Sequence, residues 1–172
     1  MEHCDYVLTS SPLGPLWICA TAAGVCGLGF GEQPSAAEVR RMARYGIAAP
    51  EPGSNPLLEA AVAQLADYFD RRLREFAVPL DLRGTPFQRA VWAELLTIPY
   101  GATLTYGEIA MEVEHPRAFQ AVGQANGANP VAIIVPCHRV VGRNGTLTGY
   151  AGGVDRKAAL LQLEQAGLQL RF

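Results

Sequence analysis

One interruption decides what this chain can fold into. The stretch FAVPLDLRGTP (76–86) places Pro79, Gly84 and Pro86 close together. Proline cannot donate a backbone hydrogen bond, and glycine in an ordered element costs extra entropy, so neither a continuous helix nor a central strand crosses such a segment. We set a boundary between residues 80 and 81, giving an N-terminal domain over 1–80 and a C-terminal domain over 81–172. The chain has 172 residues, 49% of them hydrophobic, which is enough for a buried core in two small domains.

The two parts carry different patterns. Residues 4–31 alternate short apolar runs with S-P-L-G and A-A-G turns, which predicts two or three strands. Residues 34–46 follow with a helical pattern. A clearer helix spans 55–73, with Asn55 as its cap, Pro56 in its first turn, and Leu57, Leu58, Ala61, Leu65, Tyr68 and Phe69 as its apolar stripe. The second part opens on a helix over 85–97, capped by Thr85 and started by Pro86. Two short helical patterns, 105–113 and 116–126, are split by Glu114-His115-Pro116, the outline of a helix-turn-helix. VAIIV (131–135) reads as a buried strand leading into Pro136-Cys137-His138-Arg139. The Gly-rich run 142–153 reads as a loop or hairpin, and 155–167 as the last helix.

Charge and cysteine use narrow the classes of function. The formal net charge is −2, unlike a generic nucleic-acid binder. Residues 1–80 hold 6 Lys+Arg against 9 Asp+Glu (−3), and residues 81–172 hold 8 against 7 (+1). Any DNA binding by the second part therefore rests on local geometry. The 4 cysteines form no C-x-x-C pair, which argues against a zinc ribbon, a redox motif or a disulfide framework. Cys19 and Cys26 read as small buried apolar side chains, and a metal set of His3, Cys4, Cys19 and Cys26 is the weaker alternative. There is no long apolar run and no apolar signal core in MEHCDYVLTS, so a reduced, cytoplasmic protein is expected, with no membrane partner.

The chemistry concentrates at VPCHRVVG (135–142). A thiol attacks only as a thiolate, and its ordinary pKa is about 8.5. A neighbouring histidine can take the proton if a carboxylate holds the other ring nitrogen. Glu164, on the apolar face of the last helix, is a candidate for that carboxylate. The same pair also suits a buried structural thiol or a cysteine hydrolase.

VPCHRVVGRNGTLTGYAGG (135–153) resembles the active-site signature of the O6-alkylguanine-DNA alkyltransferases, also called methylated-DNA–protein-cysteine methyltransferases. IPYGATLTYGEIA (98–110), AVGQANGANP (121–130), SPLGPLW (11–17) and DLRGTPFQRAVW (81–92) extend the resemblance over nearly the whole chain. It implies an α/β (more strictly α+β) fold: a ribonuclease-H-like N-terminal domain with a small antiparallel sheet and helices, then a mostly helical domain with the helix-turn-helix and active-site loop. It implies a monomer that binds alkylated double-stranded DNA through the minor groove, and it leaves cooperative binding open. The damaged nucleotide is rotated out of the stack, and the alkyl group moves irreversibly from guanine O6 to a cysteine, once per molecule. O4 of thymine is an open second substrate, and no cofactor is implied.

By position, the resemblance makes Cys137 the acceptor, His138 the base through a water, Glu164 its orienting group and Asn129 the brace of the reactive loop. Tyr106 would donate to guanine N3. Tyr150 and Ala151 would line the pocket, with the Ala151 N–H directed at O6, and the carbonyls of Cys137 and Val140 would accept from the exocyclic amine. Gly107, His115, Arg117, Gln120 and Arg143 would contact DNA. Gln120 departs from the pattern, because the family usually has an arginine there that enters the duplex. Weakened duplex binding or base extrusion is expected, and a lesion-binding module with weakened repair is the alternative reading. The structural zinc of some members is not carried over, since Cys4, Cys19 and Cys26 do not fall in its spacing.

Overall fold

The structure is a computed structural model and describes residues 1–169. It divides into two units, Met1–Arg83 and Gly84–Phe172. The division falls three residues later than the sequence suggests, because the segment after Pro79 is tied back to the first unit. Val25 N–H donates to the Pro79 carbonyl and Asp81 N–H to the Val25 carbonyl, both at 2.9 Å. Arg83 then grips Asp81 with Nε and Nη2 at 3.0 and 2.9 Å and donates to the Tyr45 carbonyl at 2.9 Å.

In the first unit, where two or three strands are expected, there are three: β1 (Asp5–Thr9), β2 (Leu16–Ala20) and β3 (Val25–Phe30). They are followed by α1 (Ala36–Arg44), β4 (Glu51–Pro52) and α2 (Pro56–Phe69). The sheet order is β3-β2-β1-β4, and β4 pairs parallel to β1, so the expected antiparallel sheet gains one short parallel edge. β2 is buried at every position, which requires cover on both faces. Trp17 and Cys19 point into a cluster with Cys4, Cys26, Met42 and Ile47. The pleat sends Leu16, Ile18 and Ala20 to the opposite face, where α2 packs. The expected caps form: Asn55 Oδ1 accepts from Leu58 N–H at 3.0 Å, and Leu58, Ala61, Leu65 and Tyr68 are the buried stripe of α2.

The three N-terminal thiols are not scattered. Their sulfurs lie within 4.8 Å of one another, all buried, with Cys4 Sγ and Cys26 Sγ 3.6 Å apart. Strand pairing sets Cys19 opposite Gly27, beside Cys26, so sheet register converges residues that sequence spacing separates. His3 does not join them; its imidazole meets Asp5 at 2.8 Å on the surface.

The second unit contains α3 (Pro86–Leu95), β5 (Leu104–Thr105), α4 (Tyr106–Glu112), α5 (Phe119–Gly127), β6 (Val140–Val141) and α6 (Val154–Leu168). α3, α4 and α5 pack on one another, and Trp92 Nε1 donates to the Ala125 carbonyl at 2.8 Å. Thr85 caps α3 in a capping box with Gln88, and Thr105 does the same for α4 with Glu108. α4 and α5 are the expected helix-turn-helix pair. Glu114, at φ 63°, supplies the left-handed residue that turns one into the other. β5 and β6 form a parallel pair that the sequence reading does not contain. No helix among the described residues is long and apolar enough to cross a membrane.

Candidate active site

The cysteine segment is a turn, not a strand. Val131–Val135 was expected to be extended, but Ile133 adopts φ 70° and Val135 N–H donates back to the Val131 carbonyl at 3.0 Å. Cys137–Arg139 is a single 3-10 turn. The cause is Asn129: its Oδ1 accepts from Val131 N–H at 3.0 Å while its Nδ2 donates to the Val135 carbonyl at 2.8 Å. One side chain thus replaces two ladder partners. The strand reading failed because a short apolar run has no period of its own to separate strand from buried turn.

A second asparagine, absent from the sequence-based set, holds the same loop. Asn126 is buried on α5 and its Nδ2 donates to the Cys137 carbonyl at 3.3 Å. That carbonyl also accepts from Val140 N–H within the 3-10 turn. Helical periodicity marks Asn126 as an inward polar residue, and such a residue needs a partner.

Cys137 is only 6% exposed, and His138 and Glu164 are fully buried. His138 Nε2 meets Glu164 Oε2 at 2.7 Å. Arg139, which follows in the same turn, donates from Nε to Glu164 Oε1 at 2.8 Å and from Nη2 to Oε2 at 3.0 Å. Gly101 N–H adds a bond to Oε1 at 3.2 Å. Arg139 Nη1 is taken up by the Ile98 carbonyl at 2.7 Å. A buried carboxylate is stable only with this density of donors. α6 delivers Glu164 because Lys157, Leu160, Glu164 and Gly167 form its buried stripe. The sequence reading identified Glu164 but gave Arg139 no role, although it directly follows Cys-His.

The environment fixes protonation states. Burial alone would raise the Glu164 carboxyl, but the hydrogen bonds from His138 and Arg139 outweigh it and hold it at about 2. Burial lowers His138 below its ordinary value against the opposing pull of Glu164, so the ring is neutral at neutral pH. With Nε2–H donated to Glu164, Nδ1 is the basic nitrogen, and it has no protein partner among the described residues. Burial pushes the Cys137 thiol up, with Asn129 and Lys157 opposing. The cysteine therefore rests as a thiol and must lose its proton when substrate arrives.

These directions predict acid lability in two stages. A histidine whose folded pKa is depressed binds protons better when unfolded, so stability falls as pH drops below its ordinary 6.5. A carboxyl depressed to about 2 from 4.5 contributes stability that is complete above 4.5 and is lost as pH falls toward 2. The second stage is worth about 3 kcal/mol. Urea midpoints at pH 7.5, 5.5 and 3.5 should decline in two steps; a midpoint unchanged from pH 7.5 to 5.5 would mean that His138 is not buried neutral.

The remaining sequence-predicted residues divide between pocket and groove. Tyr106 opens α4 and its hydroxyl lies 3.4 Å from Thr148 Oγ1. Lys157 Nζ stands 5.9 Å from the Tyr106 ring and donates to the Thr148 carbonyl at 2.8 Å, which fastens the Gly-rich loop over the site. Burial raises the Tyr150 hydroxyl well above its ordinary value, and Cys137 reinforces it. Ala151 is exposed on the loop, and Val140 is buried in β6. Gly107 and Arg143 share an open groove with Tyr106, Met111 and Phe119. Arg117 and Gln120 are exposed, and His115 stands edge-on to Phe87 with ring centroids 5.7 Å apart.

Sequence comparison decides the family. The sequence profile of the "6-O-methylguanine DNA methyltransferase, ribonuclease-like domain" matches residues 5–82, and that of the "6-O-methylguanine DNA methyltransferase, DNA binding domain" matches residues 86–166. The chain belongs to the 6-O-methylguanine DNA methyltransferase family. Curated relatives agree. A methylated-DNA–protein-cysteine methyltransferase of Mycobacterium bovis is 49% identical over 161 residues, covering 94% of this chain and 92% of the relative. One of Methanosarcina barkeri is 42% identical over 164 residues, covering 95% and 99%. Among solved structures, Mycobacterium tuberculosis OGT in complex with DNA superposes with a TM-score of 0.79 at 49% identity, covering 96% of this chain and 94% of that one. The family's two domains match the two units of the chain, and Cys137 lies within the DNA-binding part.

Proposed function

We propose that this chain repairs alkylated DNA by direct, stoichiometric transfer of an alkyl group from O6 of guanine to Cys137. The observation that carries the proposal is the set of buried groups gathered at this turn: the thiol of Cys137, its sequence neighbour His138, and, from α6, Glu164 2.7 Å from the His138 Nε2. Family membership and a relative solved in complex with DNA support DNA as the partner.

In this mechanism the Cys137 proton passes through a water to His138 Nδ1, and Glu164 stabilises the cation that forms. The sulfur attacks the alkyl carbon, the S–C bond forms as the O6–C bond breaks, and guanine leaves with the bonding electrons and regains a proton at its ring. A hydrogen bond from Tyr106 to the base would favour that departure. The thioether has no route back to a thiol, so each molecule acts once. The nearly closed setting of Cys137 supports extrusion of the nucleotide, since the sulfur cannot reach a carbon inside a stacked duplex. The open groove beside Tyr106, with Gly107 and Arg143 on its rim, suits a minor-groove approach.

The test is intact-protein mass spectrometry after incubation with a duplex carrying one O6-methylguanine. One added methyl per molecule, mapped to Cys137, is expected. Lesion binding without added mass would instead favour a lesion-binding module, and release of product over many turnovers would favour a hydrolase.

A further inference from the structure

We propose that Thr148 is a positioning residue for alkyl transfer: its hydroxyl donates to the Tyr106 oxygen and so directs the single tyrosine proton at the bound base. The proposal rests on the repair reading above, in which Tyr106 donates to the departing guanine. A phenol carries one proton and accepts through its oxygen lone pairs. That proton turns toward any acceptor in reach unless a second donor occupies the near side of the oxygen. Thr148 Oγ1 stands 3.4 Å from the Tyr106 oxygen, with the threonine as donor. Catalytic hydrogen bonds are commonly long before substrate binds and tighten with it. As the alkyl group leaves, electron density builds on the base and the bond from Tyr106 strengthens. The phenol oxygen then becomes a better acceptor, and the bond from Thr148 strengthens in turn.

Two further ties hold Thr148 in this place. Its carbonyl accepts from Lys157 Nζ at 2.8 Å, and the same ammonium stands 5.9 Å from the centre of the Tyr106 ring. Lys157 is fully buried on α6, so one cation inside the second unit registers both members of the pair. On its other side the Thr148 methyl lies against the start of the loop, where a Cβ at Gly142 would sit 3.5 Å from Cγ2. The loop itself turns on Gly145 and Gly149, at φ 75° and 26°, so these side-chain ties rather than regular structure fix the threonine. Backbone, methyl and hydroxyl of one residue thus meet α6, the loop base and α4. Only the hydroxyl reaches a group that acts on the base.

The experiment is a double-mutant cycle on the single-turnover rate of methyl uptake at saturating duplex containing one O6-methylguanine, with duplex affinity measured separately. Thr148→Val keeps the shape and removes the hydroxyl, and the position is exposed, so the fold tolerates it. It should slow transfer about tenfold, the size of one hydrogen bond, with affinity unchanged, and Thr148→Ser should restore the rate. In a Tyr106→Phe background Thr148→Val should add nothing, because the oxygen through which it acts is gone. A wild-type rate in Thr148→Val, no rescue by serine, a loss confined to affinity, or the same fall in the Tyr106→Phe background would each overturn the assignment; the last would leave Thr148 as a fastener of the loop alone. Wild-type protein that takes up no methyl from the duplex is a separate result, and it would sink the repair reading itself.

Discussion

Cys137→Ser is expected to abolish alkyl uptake, by on the order of 10⁴-fold or more, while leaving the fold and lesion binding nearly intact. The loss follows from the acidity of the attacking group. Burial already raises the Cys137 thiol, so His138 must draw off its proton as the sulfur attacks. A serine hydroxyl is a far weaker acid than a thiol and a poorer nucleophile toward saturated carbon. The fold should tolerate the exchange because the turn is held by backbone and by asparagines, not by sulfur: Cys137 N–H bonds the Val135 carbonyl at 2.8 Å and Asn126 holds the Cys137 carbonyl. The measurement is mass spectrometry for the methyl group beside a binding assay on the same lesion duplex. Methyl uptake by the serine variant would mean that another cysteine is the acceptor. Cys4, Cys19 and Cys26 are buried in the first unit, so peptide mapping would separate that outcome cleanly.

What the sequence revealed of this arrangement was set by the range of the interactions. Helix starts are local events, and Asn55 and Thr85 cap the helices where their residue types and the prolines behind them indicate. Glu164 was legible because a glutamate on the apolar face of a helix demands a partner. Arg139 was not, because its partners come from the loop after α3 and from α6, and no local pattern reports them. The turn at 131–135 was misread for the reverse reason: apolar composition suggested a strand, while one side chain, Asn129, closes the backbone on itself. The three N-terminal sulfurs meet through strand register, which sequence spacing cannot express. Helical periodicity was enough to find the helix-turn-helix, but only packing tells which face of α5 serves the site, and that face carries Asn126.

Glu164→Gln is expected to cost the second unit about 3–5 kcal/mol and to slow transfer by roughly 10²–10⁴-fold. The two losses share one origin. Glu164 is buried and meets two Arg139 nitrogens, His138 Nε2 and Gly101 N–H. An amide has one acceptor oxygen and one donor group, so at least one existing donor would face another donor. Arg139, 8% exposed at its side chain, would keep a full charge with no carboxylate to answer it, beside the Ile98 carbonyl and the face of Tyr100. His138 would lose the acceptor that keeps its proton on Nε2, and with it the orientation of Nδ1 as base. Stability and chemistry can be separated by measuring transfer at low temperature, where the variant remains folded, and the urea midpoint independently. Arg139→Lys provides the contrast: it retains the charge but loses the forked geometry, so it should reduce stability with a smaller effect on rate, because the His138–Glu164 bond survives. The acid transition offers a third check. In Glu164→Gln the destabilisation between pH 4.5 and 2 should shrink, since the depressed carboxyl that produces it is gone. A variant as stable as wild type with the same acid profile would mean that the carboxylate is not the centre of this network.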